Sequence, residues 1–155
     1  MKYILYFCMV IFTAFIACTD DAEEPQVEEL SGELQNVSFE AGEARFFEET
    51  DDKILIEIFP RDITFNNLCV ESPETKQLTF FSEDNMNRQE LFLDLENFEG
   101  FTVTLHNPAE SKSYIATEGY FQIKERSDTG LLAEMRIFFD GQGSIEGIFE
   151  AVLCP

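Results

Sequence analysis

The chain has 155 residues, 31 acidic against 10 basic side chains and a single histidine, a net charge of −21 at neutral pH. A surface of that sign repels nucleic-acid phosphates and anionic lipid headgroups, which removes DNA and RNA from the partners. The length suffices for one domain and not for two.

The first segment is Met1 to Cys18, MKYILYFCMVIFTAFIAC. A base at Lys2, an apolar run from Tyr3 to Phe12 and a small-residue exit have the layout of a secretory signal. Tyr3 to Ala17 is short for a bilayer span, which needs about 20 residues. The run ends Phe15-Ile16-Ala17-Cys18, which resembles the lipobox of bacterial lipoproteins, with Phe15 where that family usually has Leu. The resemblance implies that the Cys18 thiol is acylated and that the chain is cut just before it. A small Ala17 leaves the scissile bond accessible, and a thiol is the nucleophile that accepts a diacylglycerol. Each buried lipid methylene contributes about 0.8 kcal/mol, so a chain carrying two or more acyl groups stays on its membrane. An ordinary signal peptide or an uncleaved anchor is the alternative. Removal of residues 1–17, which hold Lys2 and no acid, leaves 138 residues with a net charge of −22.

Residues 18–35 read as a tether. From Asp20 to Glu43 there are nine acids and no Lys or Arg before Arg45. Like charges repel and Pro25 stops a helix, so Thr19 to Gln35 predicts a disordered linker, about 20 to 25 Å end to end. The cysteine followed at once by acids, CTDDAEE, resembles the export signal of surface-displayed Bacteroidetes lipoproteins. That resemblance implies an anchor in the outer leaflet of the outer membrane; the alternative is a plain spacer that leaves the domain facing the periplasm.

Residues 36–155 predict one all-β domain. From Val37 onward the dominant period is two, with β-branched and aromatic residues between turn signals. The first runs are Val37–Phe39 and Ala44–Phe47, joined through Ala41-Gly42. Lys53–Phe59 ends at Pro60, which lacks an amide donor. Ile63–Phe65 predicts a short strand, and 72–76 a loop. Gln77–Phe81 and Glu90–Leu95 flank the polar SEDNMNR. Leu91, Leu93 and Leu95 alternate with Phe92, Asp94 and Glu96, then Phe101, Val103 and Leu105 with Thr102, Thr104 and His106. Tyr114–Ala116, Tyr120–Lys124 and Leu132–Phe139 follow, separated by turns at Glu118-Gly119 and Ser127–Gly130. Asp140-Gly141-Gln142-Gly143 is the clearest hairpin turn. The last strand, Ser144–Leu153, buries Ile145, Phe149, Ala151 and Leu153, with Gly147 at a bulge or a close-packing point. About ten short strands without helical period predict a single antiparallel β-sandwich or barrel. The closing segment, GYFQIKERSDTG to SIEGIFEAVL, resembles the end of small Bacteroidetes lipoproteins of unknown function, with Ile148 where that family usually has Thr or Ser.

Four cysteines divide by position. Cys8 leaves with the leader and Cys18 carries the lipid. Cys69 and Cys154 remain, 85 positions apart, and in an oxidising compartment they are expected to bond, adding about 4 to 5 kcal/mol on the loop-entropy model. Two free buried thiols are the alternative.

Catalytic signals are weak. His106 has no nucleophile elbow to serve and reads as a solvent-facing histidine. Asp94 and Glu96 share a strand face but read as a solvated pair rather than a glycosidase dyad. The loops Glu49–Asp52 and Glu83–Asn87 offer oxygen ligands for calcium without EF-hand spacing, and solvated loops are the default. No metal, cofactor or enzymatic activity is expected. The 17 Phe residues, with no Trp, supply the aromatic core volume or line a cavity. The expectation is a lipid-anchored extracytoplasmic module that binds a protein or a small neutral or cationic ligand. The alternative is a small β-barrel carrier of an apolar ligand.

Overall fold

The structure, a computed structural model, describes residues 28–50, 53–82, 90–94 and 101–155. Ten strands account for most of them: β1 Ser31–Leu34, β2 Val37–Thr50, β3 Lys53–Pro60, β4 Gln77–Ser82, β5 Glu90–Asp94, β6 Phe101–Asn107, β7 Lys112–Ile115, β8 Glu118–Arg126, β9 Gly130–Phe139 and β10 Gly143–Leu153. A 3-10 turn, Pro108–Glu110, follows β6. The all-β expectation holds, and the form it takes is one curled sheet, a half-barrel, in the order β5-β8-β9-β10-β1-β2-β3-β4-β6-β7.

All neighbours in that order are antiparallel. β1 is a short wedge between β10 and β2. Beyond it those two strands meet directly in parallel, Val152 opposite Arg45 and Leu153 opposite Phe46. The curl brings the two ends of the sheet together. β5 packs on β6 without pairing. Between β7 and β8, the Ala116 amide donates to Val103 O at 2.8 Å and the Thr117 amide to Phe138 O at 2.8 Å. Two consecutive amides therefore tie β6 to β9 across the core.

The inward side chains fill that core. On β3 Ile54, Ile56 and Ile58 point in, on β6 Phe101, Val103 and Leu105, on β9 Leu131, Ala133, Met135 and Ile137. Phe80 of β4 lies 4.3 Å from Phe121 of β8 and 4.9 Å from Phe101 of β6, centroid to centroid, and Phe121 is 6.4 Å from Phe149 of β10. These rings come from opposite walls, so they hold the curl closed by packing rather than by hydrogen bonds.

Several local expectations are corrected. Ser31–Leu34, assigned to the tether, form β1, so the folded domain begins before residue 36. The hairpin that pairs β1 with β2 turns on Gln35 and Asn36, both left-handed at φ 49° and 65°. This is the two-residue geometry normally written Asn-Gly, and without a glycine it gives no signal. Ala41-Gly42 is not a turn: Val37–Thr50 is one strand with a register shift between Ala41 and Ala44. Ile63–Phe65 is not a strand. Phe65 instead packs, with its ring tilted, against the outward-facing Phe59, centroids 4.7 Å apart. Glu118-Gly119 opens β8, where Glu118 pairs with Phe138 and Gly119 with Ile137. Leu153 is only partly buried.

Other expectations stand. Asn107-Pro108 ends β6. Gly141, at φ 67°, turns the hairpin between β9 and β10. Gly147 is a close-packing point, since pairing with β9 runs through it without a shift. A Cβ there would lie 2.7 Å from Glu29 O and Leu30 Cα, so only glycine lets the chain preceding β1 lie on β10.

Candidate functional site

Cys69 and Cys154 are joined, with Cα atoms 5.3 Å apart. Cys69 lies in the long connection between β3 and β4, residues 61–76, and Cys154 directly follows β10. The bridge fastens that connection over the outer face of β2 and β3, and Arg45 fastens it a second time. Inward Ala44 and Phe46 flank Arg45 in β2, so its side chain points outward, yet it is 3% exposed. Its guanidinium donates to Glu57 Oε2 at 2.7 Å, to the carbonyls of Leu68 and Glu71 at 2.5 and 2.7 Å, and to Ser72 Oγ at 3.1 Å. Its Cζ also lies 5.3 Å from the ring centres of Phe47 and Phe59. A fork of donors between two rings, satisfied by carbonyls, is a structural use of arginine.

The other residues singled out from the sequence are not brought together at one site among the described residues. Cys18, Glu96 and the loops 51–52 and 83–89 lie outside the described residues, as do the side chains of Glu49, Thr50 and Asp94. His106 is exposed on β6, with Nδ1 2.9 Å from Ser113 Oγ on β7. This pair was not foreseen, and Ser113 reaches His106 only through the register of an edge strand. No described carboxylate orients the imidazole from its other side, and both residues stand on an exposed surface.

The outer face of the other end of the sheet carries an arrangement the sequence did not signal. Phe92 of β5, Tyr120 of β8, Arg136 of β9 and Glu146 of β10 are successive register partners and form one row across four strands. Phe92 is 64% exposed, and Phe138, two residues along β9 from Arg136, is 37% exposed. Arg136 holds Glu146 at 2.9 Å and places its Cζ 5.2 Å from the Phe138 ring centre.

Beside the row, Tyr120 donates its hydroxyl to Glu134, whose other carboxylate oxygen accepts from Lys124 Nζ at 2.5 Å. The Lys124 hydrogen bond, with the Tyr120 hydroxyl after it, holds the Glu134 carboxyl below its ordinary range. The hydrogen bond to Glu134, with partial burial second, pushes the Tyr120 phenol up to about 12. Aromatic and Arg side chains on an open face, held in place by their own contacts, are the composition of protein-binding surfaces.

No protein-family model, curated protein or solved structure matches the chain.

Proposed function

We propose that the chain is a lipid-anchored extracytoplasmic binding module, held at the outer membrane surface through Cys18 and an acidic tether, that docks a partner protein through the outer face of β5, β8 and β9. The observation that carries the binding half is the exposed row Phe92, Tyr120 and Arg136 with Phe138 beside it. Two exposed rings on one outer face, beside an arginine, offer a partner aromatic and guanidinium anchors together. The carrier reading has less support. Phe80, Phe101, Phe121 and Phe149, the residues a carrier would use to line its cavity, pack on one another. The disulfide supports the compartment, because such bonds persist outside the reducing cytosol.

The test is made on intact cells producing the full chain. Mass spectrometry of the N-terminal peptide is expected to find Cys18 diacylated, and external protease to remove the domain. A photo-crosslinking residue at Phe92 is expected to give a discrete adduct with one protein, whereas the same residue at Asp128, in the β8–β9 turn, gives none. An unmodified Cys18 overturns the anchor. Equal adducts from both positions, or none from either, overturn the docking face.

A further inference from the structure

A groove of about 880 Å³ opens where the start of β2, the end of β3, the close of the 61–76 connection and the end of β6 meet. Its volume lies within the range of small-molecule sites, roughly 300 to 1,000 Å³. Its walls include Asp62, Glu74, Lys76 and Asn107.

Asn107 is 6% exposed. It stands immediately before the 3-10 turn, where an Asn side chain ordinarily accepts a bond from the turn's amides. Here it makes no such bond, and no hydrogen bond joins its side chain to any other described residue. No fully buried polar side-chain atom is left unpaired among the described residues, so the Asn107 amide keeps its contact with solvent through the groove it lines.

Gln77 pairs with His106. Continuing that antiparallel register by one residue sets Lys76 beside Asn107. The Lys76 ammonium donates to Ser38 O at 3.3 Å and has no ion-pair partner among the described residues. That is notable in a chain with three acids for each base. Arg61 differs, being taken up by Glu29 and Glu40. Asp62 and Glu74, on the same walls, also form no ion pair among the described residues. The groove wall therefore carries an ammonium, an amide without a side-chain hydrogen bond and two carboxylates without ion pairs among the described residues.

We propose that this groove binds a zwitterion of the amino-acid or short-peptide class, with its carboxylate on Lys76 Nζ and the Asn107 side-chain amide and its ammonium on Asp62 and Glu74. Charge selects this class. A simple anion is repelled by a chain of net charge −21, whereas a simple cation leaves Lys76 and Asn107 unused. A net-neutral ligand bearing both charges satisfies all four groups through charge-assisted bonds. The site stands apart from the β5, β8 and β9 face and does not depend on it.

The experiment is an amide-resolved NMR titration of the purified full-length protein in detergent, disulfide intact, with triglycine and with trialanine. At least one peptide is expected to bind saturably, shifting the Asn107 side-chain amide. N-acetyl-triglycine amide, which lacks both charges, is expected not to. Lys76→Met and Asn107→Ala are each expected to weaken binding about tenfold, with melting temperature unchanged, while Phe92→Ser leaves binding intact. The proposal is overturned if neither peptide shifts Asn107 up to about 10 mM, a concentration that would reveal even millimolar affinity. Binding of the blocked peptide equal to the free one, or full affinity in both groove variants, overturns it as well.

Discussion

Arg45 takes its direction from its strand and its environment from what folds over that strand. Alternation along β2 places it opposite the core side, which for an arginine implies solvent. The 61–76 connection then folds over it, and its guanidinium becomes the hub for two carbonyls, a carboxylate and a hydroxyl. Arg45→Met keeps the volume and leaves those acceptors unpaired, at a cost of about 3 kcal/mol. Urea unfolding measures this, and a loss below about 1 kcal/mol would show that water replaces the guanidinium. Arg45→Lys is expected to recover little, since an ammonium cannot span the fork.

Tyr120 supplies the pH dependence at this scale. Its folded-state value is raised from 10.0 to about 12. The neutral phenol is the form that donates to Glu134, so its stabilising contribution is complete below about pH 10 and is lost as pH rises through about 12. Ultraviolet titration of the phenolates is expected to show one late component that Tyr120→Phe removes. Glu134 has the opposite sense: its contribution is present above the ordinary carboxylate range and fades as pH falls through its lowered value.

Among the elements, the 61–76 connection has little secondary structure of its own and is nonetheless built. Loops of this length without regular structure are usually functional or disordered. This one is anchored by the Cys69–Cys154 bridge, by Arg45 and by Phe65 on Phe59. It also ends at Glu74 and Lys76 on the groove wall. Cys69→Ser with Cys154→Ser is expected to cost about 4 to 5 kcal/mol, the loop-entropy value for a closed loop of 85 residues. Thermal melting checks the loss. Hydrogen exchange is expected to show that loss in the slowest sheet amides, with an additional local loss of protection in 61–76 and the end of β10. Absence of the additional local loss would contradict the view of this connection as a separately fastened unit.

At the scale of the whole molecule, the half-barrel separates two tasks. Its inner face is spent on closure, with rings from β4, β6, β8 and β10 meeting across the core. Its outer face is divided between a covered region over β2 and β3 and an open region over β5, β8 and β9.

The all-β class, most strand positions and the inward residues were legible in the sequence, because a two-residue period and glycine or proline punctuation are local properties of the chain. The hairpin at Asp140–Gly143 and the inward triplet Phe101, Val103 and Leu105 are instances. The Cys69–Cys154 bridge agrees with the pairing expected when Cys8 is assigned to a leader and Cys18 to a lipid anchor. β1 was hidden by the acidic run that precedes it and by a turn, Gln35-Asn36, that adopts positive φ without glycine. The buried Arg45, the row from Phe92 to Glu146 and the groove at Lys76 and Asn107 belonged to the tertiary structure alone. Each depends on which strand lies beside which and on what folds over the outer face. Residues far apart in the chain acquire those neighbours only when the sheet curls, so no local pattern records them.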